Sequence, residues 1–387
     1  MDWTRVVGLI SGTSVDAIDV ALADLRLVHN TVELAPLGHT DVAYPAELRA
    51  EFLAALPPNP CTAEQLCKLD TRIGQAFAEA ATALGPADLV ASLGQTIYHW
   101  VEGGHAHGTL QLGQPAWIAE RTGLPVIANL RARDVAAGGH GAPLAGLFDR
   151  LWLSDGIALN IGGIANITVV SPDGTEDIAY DTGPGNALID VAADMVSGRP
   201  FDEDGALAKA GTVRPDLLAV LLADPYYAQP PPKSTGKEHF HGTYLRHALS
   251  RVSPVDGPDL LATLVELTAT TIADACGTHR ADRVVASGGG VRNPTLMAAL
   301  TRHLTAELVT SDELGIPGDA KEAYLTTLLG FLTWHGIPAH PPTGAAGPRL
   351  LGDITPGREP LRLPAPAGQN VTKMRVVATP GGARANS

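Results

Sequence analysis

Ser11, Gly12, Thr13, Ser14 and Asp16 fall within a six-residue stretch that an apolar run enters and another leaves. Backbone N–H groups in a tight turn and small hydroxyls suit a phosphate, and the Asp16 carboxylate suits a magnesium ion or, alternatively, simply stabilises the turn. Two further glycine turns close apolar runs: Gly162-Gly163 after Leu159-Asn160-Ile161, and Gly288-Gly289-Gly290 after Arg283–Ser287, with Asn293 just beyond. One such turn is ordinary loop punctuation; three in this order are not. Asp181 opens Asp181-Thr182-Gly183-Pro184-Gly185-Asn186. A carboxylate there is either a general base or an Asx-turn or helix-capping residue. A Walker A frame and a Rossmann G-x-G-x-x-G are absent. His105 with His107, and His239 with His241, lack a third ligand nearby and read as surface histidines.

The elements that must hold these residues alternate. Val6–Ser11, Asp19–Leu25 and Thr31–Leu37 read as an antiparallel meander around the first turn. Pro45–Leu56 reads as a helix. Thr62 is the expected N-cap of another, with Gln65 as capping-box partner and an apolar face through Leu69, Ile73 and Phe77. Leu89–Ser92 is expected to be a short strand ending at Leu93-Gly94-Gln95-Thr96. Leu110–Gly123 reads as strand and helix, and Pro125–Asn129 as a strand. The glycine-rich 136–142 stretch resembles a hinge. The pattern then restarts: strand, glycine turn, strand, a turn at Asp173-Gly174, a third strand ending at Asp181, and a helix from Ala187. This implies an α/β chain built on a duplicated β-meander. Pro225–His241 reads as an irregular loop, and Asp259–Thr278 and Lys321–His335 as helices. Beyond Pro338 the chain is expected to run over the surface, with a disordered end.

At 387 residues, 45% hydrophobic and 18% charged, the chain has material for two ordinary cores. Its net charge of −14 argues against a nucleic-acid partner. The odd number of cysteines (Cys61, Cys67, Cys276) and the lack of C-x-x-C suggest a reducing, intracellular setting. Neither a signal peptide nor a membrane-spanning run is apparent, so the cytoplasm is expected and no membrane partner.

Three glycine turns in this order resemble the actin-like ATPase fold, which implies two actin-like (ribonuclease H-like) domains around an ATP cleft. More specific strings are similar to the anhydro-N-acetylmuramic acid kinase family: 8–16, 159–167, Asp181–Asn186, Lys233-Ser234-Thr235-Gly236-Lys237-Glu238, 136–144 and Glu322-Ala323, in order from about Val7 to Gly357. The resemblance implies a first domain over 1–130, a second over 131–357 and a tail over 358–387. It implies ATP and Mg²⁺ as cofactors, a small anhydro-sugar substrate and a homodimer. Water opens the 1,6-anhydro bridge and O6 takes the γ-phosphoryl group, giving N-acetylmuramic acid 6-phosphate. Asp181 is then the catalytic base. By the same resemblance Ser11, Gly12, Thr13, Ser14, Val15, Asp16, Ala17, Ile18, Gly162, Gly163, Gly288, Gly289, Gly290 and Asn293 are expected to bind ATP, with Asp16 near the metal, directly or through water. Thr96, Arg131, Asp134 and Glu322 line the sugar pocket, their bland alternative being surface charge. The chain departs from the family pattern at Ala17 for glycine, Leu93 for histidine, His140 for glutamine and Lys237 for arginine. These departures bear on substrate affinity, leaving a kinase of another sugar, or a weakened nucleotide-binding sensor, as rival readings.

Overall fold

The computed structural model describes residues 1–12, 15–172, 177–236, 238–368 and 370–379. Thr13, Ser14, the Asp173-Gly174 turn, Lys237 and the extreme C-terminus lie outside the described residues. The chain forms two compact units: Met1–Trp152 joined by the chain from Ala320 onward, and Leu153–Asp319.

In the first unit, β1 (Thr4–Ser11), β2 (Ala17–Val28) and β3 (Thr31–Ala43) form the expected antiparallel meander. β4 (Leu89–Glu102) lies parallel to β1, β5 (His105–Leu112) folds back on β4 as a hairpin, and β6 (Val126–Ala128) lies parallel to β4. Alternation along β1 sends Val7 and Leu9 into a core with Ile73 and Phe77 of the Ala63–Ala80 helix. That helix starts with the predicted capping box: Thr62 accepts from Gln65 N, and Gln65 Oε1 accepts from Thr62 N.

In the second unit, β7 (Gly156–Ile161), β8 (Ile164–Val170) and β9 (Ile178–Pro184) repeat the meander. β10 (Arg283–Ser287) lies parallel to β7, and β11 (Glu307–Thr310) parallel to β10. The order β11-β10-β7-β8-β9 therefore matches β6-β4-β1-β2-β3, so the duplication read from the glycine turns is a duplication of topology. Helix Gly257–Gly277 is long and apolar enough to cross a bilayer. Its Leu261, Leu264, Leu267, Ala269 and Ile272 are nonetheless fully buried, and it forms the spine of this unit's core.

The chain then returns to the first unit. Helix Lys321–Trp334 packs along β1, β2 and β4. Glycine permits this contact: a Cβ on Gly8 would lie 2.3 Å from Ala323 O, and one on Gly330 would lie 2.5 Å from Ala91 Cβ. β12 (Asp353–Thr355) pairs with β6, and β13 (Lys373–Val376) pairs with β3.

Four expectations change. The division falls at 152/153 and 319/320, not at 130/131 and 357. The 136–142 glycines are no linker between domains, because they wrap the buried Asp134, and the last helix completes the first core. The segment beyond Pro338 is partly interior, since Thr343, Ala345, Leu351 and Met374 are buried. β4 does not stop at Leu93. It runs on through a left-handed Gly94, because β5 supplies the hairpin partner that sequence periodicity could not show.

Candidate active site

In the first unit, the β1–β2 turn is held by groups distant in sequence. Gly12 O accepts from Val15 N at 3.3 Å and from Gln95 Nε2 at 3.2 Å. Gln95 Oε1 in turn accepts from Tyr44 OH at 3.3 Å. Arg49 Nε donates to Val15 O at 2.8 Å. Val15 has φ of 55°, a left-handed conformation that a β-branched residue adopts only under constraint from its surroundings. Ala17, where the family pattern has glycine, opens β2 without a positive φ; the left-handed position is Val15. Asp16 is exposed at the turn. Within the turn, the Ser11 hydroxyl donates to Ala17 O at 2.9 Å. The Ile18 side chain is fully buried in the core, so only its backbone can face a ligand. Arg49, Tyr44 and Gln95 carry no sequence signal as braces; they act through long-range packing.

The two glycine turns of the second unit serve different purposes. Gly162 O accepts from Asn186 N at 2.8 Å, and Gly163 O accepts from Gly185 N and Ala187 N at 2.9 Å each. These bonds lock the β7–β8 turn onto the turn after Asp181. A Cβ on Gly185 would lie 2.3 Å from Gly162 O, which fixes glycine there. Gly288 has φ of 84° and passes Asn160 so closely that a Cβ would lie 2.6 Å from Asn160 Oδ1. Gly290 packs against Ile161, whereas Gly289 is exposed with open space at its Cβ direction. Asn293 caps the Pro294–His303 helix, its Oδ1 accepting from Thr295 N and Leu296 N.

Asp181 lies inside β9, half-buried, and its backbone is clamped on both sides: its N donates to Lys233 O at 3.1 Å, and its O accepts from Tyr226 OH at 2.7 Å. Its Oδ2 accepts from Ser234 Oγ and from Thr235 N, both at 2.9 Å. Burial pushes the carboxyl above its usual range; the Thr235 N–H and the Ser234 hydroxyl pull it back, and Glu238 adds to the rise. Neither bland alternative holds. The N-cap of helix Ala187–Ser197 is Asn186, and the Asp181 side chain bonds the 234–235 loop rather than its own turn. That loop read as merely irregular, and Ser234 and Thr235 carried a motif but no assigned role. Lys233 anchors the loop by donating from Nζ to Tyr226 O and Tyr227 O at 3.1 and 3.0 Å, and burial lowers its pKa. A cavity of about 730 Å³ adjoins the loop, lined by Ser234, Thr235, Glu238, Tyr226, His239 and Tyr244 among others. His239 pairs with Asp224 at 2.9 Å, and His241 caps helix Gly242–Leu249, so the two histidines are structural.

The remaining predicted residues fall in the first unit. Thr96 Oγ1 accepts from Gln111 Nε2 at 3.2 Å. Arg131 donates from Nη1 to Gly141 O at 2.8 Å; burial lowers its pKa and Glu322 opposes this. His99 is lowered by burial, then by Arg131 and His140. Arg131, Glu322, His99 and His140 thus share one electrostatic neighbourhood. Glu322 is exposed on the first turn of its helix. The preceding Lys321 is buried and donates to Asp149 Oδ1 at 2.9 Å, which pins that turn. Asp134 is fully buried: its Oδ2 accepts from Gly141 N at 2.8 Å, which shapes the turn next to Arg131, and its Oδ1 lies 4.0 Å from Arg349 Nη1. Leu93 is also buried, within the continuing strand, so the departure from histidine removes no exposed ring.

A sequence model of the anhydro-N-acetylmuramic acid kinase family matches residues 4–357. Curated relatives of that name are 54% identical in Streptomyces coelicolor, covering 97% of this chain and all of the relative. In Streptomyces avermitilis the identity is 57%, covering 93% and 96%. The chain belongs to the anhydro-N-acetylmuramic acid kinase family. A third family relative, from Rhodococcus erythropolis, is 52% identical and covers 92% of this chain and 95% of its own. The chain is therefore a kinase.

Proposed function

We propose that this kinase opens 1,6-anhydro-N-acetylmuramic acid with water and phosphorylates the freed O6 with ATP, yielding N-acetylmuramic acid 6-phosphate and ADP in cell-wall recycling. The observation that carries the reading is the Asp181 carboxylate: two donors fix Oδ2 and leave Oδ1 for a water molecule. Burial raises its basicity, as a base working near neutral pH requires. Asp181 takes a proton from water as the water oxygen bonds the anomeric carbon. The C1–O6 bond breaks, and the O6 electron pair attacks the γ-phosphorus as ADP departs. Capture by phosphorus spares the separate acid that a glycosidase needs on its leaving oxygen.

Thr96, Arg131 and Glu322 are assigned to the sugar, supported for the last two by the charge interactions that link Arg131 to Glu322, His99 and His140. Asp134 supports them through the 139–141 turn. ATP is assigned to backbone groups of Gly12, Val15, Asp16, Ala17 and Ile18 with Thr13 and Ser14, and to Gly162, Gly163, Gly288, Gly289, Gly290 and Asn293. Among the described residues no group of three or more His, Cys, Asp or Glu is placed to hold a metal ion. Mg²⁺ usually keeps several waters and takes one or two carboxylates plus phosphate oxygens, which the exposed Asp16 fits. Bound there, it would neutralise charge on the transferring phosphoryl group. A cytoplasmic site fits ATP dependence and the free thiols of Cys61, Cys67 and Cys276. A homodimer is retained on family grounds, and light scattering of the purified chain tests it.

The decisive experiment incubates the protein with Mg-ATP and 1,6-anhydro-N-acetylmuramic acid in ¹⁸O-water. Label at the anomeric hydroxyl and phosphate on O6 are expected. Unlabelled product, or phosphorylation of other sugars alone, refutes the reading.

A further inference from the structure

In the first unit, the segment 339–349, which follows the last helix, clasps the glycine-rich 136–142 stretch from far along the chain. His140 N donates to Thr343 O at 2.9 Å, and Ala346 N donates to Ala137 O at 3.4 Å. Gly139 fits between Asp134 and Ala345: a Cβ there would lie 2.3 Å from Asp134 Oδ2 and 2.7 Å from Ala345 Cβ. The segment is closed on itself at its ends, where Arg349 N donates to Ala339 O at 2.9 Å and Ala339 N donates to Arg349 O at 2.8 Å. Within that closure Arg349 Nη2 donates to Gly347 O, and Nη1 lies 4.0 Å from Asp134 Oδ1.

Asp134 requires that charge. Its side chain is 0% exposed and that of Arg349 12%. Asp134 Oδ2 accepts from Gly141 N at 2.8 Å, whereas neither Asp134 Oδ1 nor Arg349 Nη1 has a hydrogen-bond partner. A buried carboxylate is costly without a countercharge, and at this separation in a low dielectric the attraction persists beyond hydrogen-bond reach. Gly141 carries the effect onward. Its N–H is fixed by Asp134, and its carbonyl oxygen accepts from Arg131 Nη1 at 2.8 Å. Arg131 Nε is buried and unpartnered, so the bond to Gly141 O orients the guanidinium. We propose that Arg349 is a positioning residue for the sugar site: by holding the Asp134 carboxylate in place behind Gly141, it sets the direction in which Arg131 meets the sugar. The inference rests on the assignment of Arg131 to the sugar.

Steady-state kinetics of the full chain with Mg-ATP and 1,6-anhydro-N-acetylmuramic acid test it, on the native protein, Arg349→Met, Arg131→Met and the double variant. Arg349→Met is expected to raise the sugar KM by about two- to tenfold, within the range of coupling inside one network of contacts. The kcat and the KM for ATP should stay within about twofold of native, as loss of sugar binding alone requires. On the Arg131→Met background the same substitution should change the sugar kcat/KM by less than about twofold, because its route to the sugar is gone. A residue that merely stabilised the fold would act equally on both backgrounds. Arg349→Lys, which keeps the charge, should recover most of the loss. Asp134→Leu/Arg349→Met takes both charges out of the interior and so keeps the fold where Arg349→Met alone does not. It also removes the hold on Gly141, and should show the same rise in KM and the same dependence on Arg131. A native sugar KM in Arg349→Met or in Asp134→Leu/Arg349→Met, or an equal effect on the Arg131→Met background, overturns the proposal. A native sugar KM in Arg131→Met refutes the sugar assignment itself, and the role of Arg349 with it.

Discussion

Asp181→Asn tests the proposed chemistry at one atom. The asparagine carboxamide oxygen can still accept from Ser234 Oγ and Thr235 N, both at 2.9 Å in the native chain, and the Tyr226 and Lys233 contacts are to backbone. The loop therefore keeps its anchors, and what disappears is the basic oxygen. General-base assistance contributes about 10²–10⁴ in rate, or roughly 3–5 kcal/mol at 1.36 kcal/mol per decade. Single-turnover formation of sugar phosphate should fall by that factor, while ATP affinity by calorimetry stays within about twofold of native. Stability should move the other way. Burial lifts the native Asp181 carboxyl above its unfolded value, so the folded state holds the proton more tightly than the unfolded one. Stability is then lost as pH rises from the unfolded carboxylate range through the folded value. Asparagine escapes that cost, so the variant should melt above the native protein at pH 7, and the gap should close in acid. Turnover above a tenth of native would refute Asp181 as the base. A gap that widens in acid would refute burial as the main cause of its shift.

Three other perturbations probe the supporting structure. Ser234→Ala removes one donor to Asp181 Oδ2 while the Thr235 N–H remains, so the acid limb of the kcat/KM–pH profile should move to higher pH; an unmoved limb would deny Ser234 its influence on the base. Lys321→Met leaves Asp149 buried without its cation, which costs about 3–5 kcal/mol. Calorimetry should show Tm lowered by about 10 °C, with Asp149→Leu recovering much of the loss in the double variant. Gly288→Ala places a methyl 2.6 Å from Asn160 Oδ1 at a φ of 84°, and should raise the Kd for ATP while lowering Tm; native-like values of both would refute the close approach.

Much of the architecture was legible because it rests on local patterns. The meanders are read from alternation, the Thr62 cap from a four-residue spacing, and the glycine turns from residues that tolerate φ or contacts others cannot. The repeated order of strand, turn and strand was enough to announce a duplicated α/β fold. Asp181 was visible as a carboxylate in a glycine turn, but not its function, because base, Asx turn and helix cap share the same local sequence.

Contacts between distant residues settled what the sequence left open. The chain alone named Asp134 and Glu322 together, yet burial made one a brace and left the other exposed. Local propensity stopped β4 at Leu93; pairing with β5 carried it on to Glu102. The resemblance placed a boundary at residue 130 and the glycine-rich 136–142 stretch read as a hinge, but packing of the Lys321–Trp334 helix onto β1, with the buried Lys321–Asp149 pair, moved the division. Composition and period determine which elements form, since those depend on neighbours a few residues away. Ionisation and accessibility depend on what the finished core removes from water, and so Asp181 becomes a candidate base only once Ser234 and Thr235 close against it.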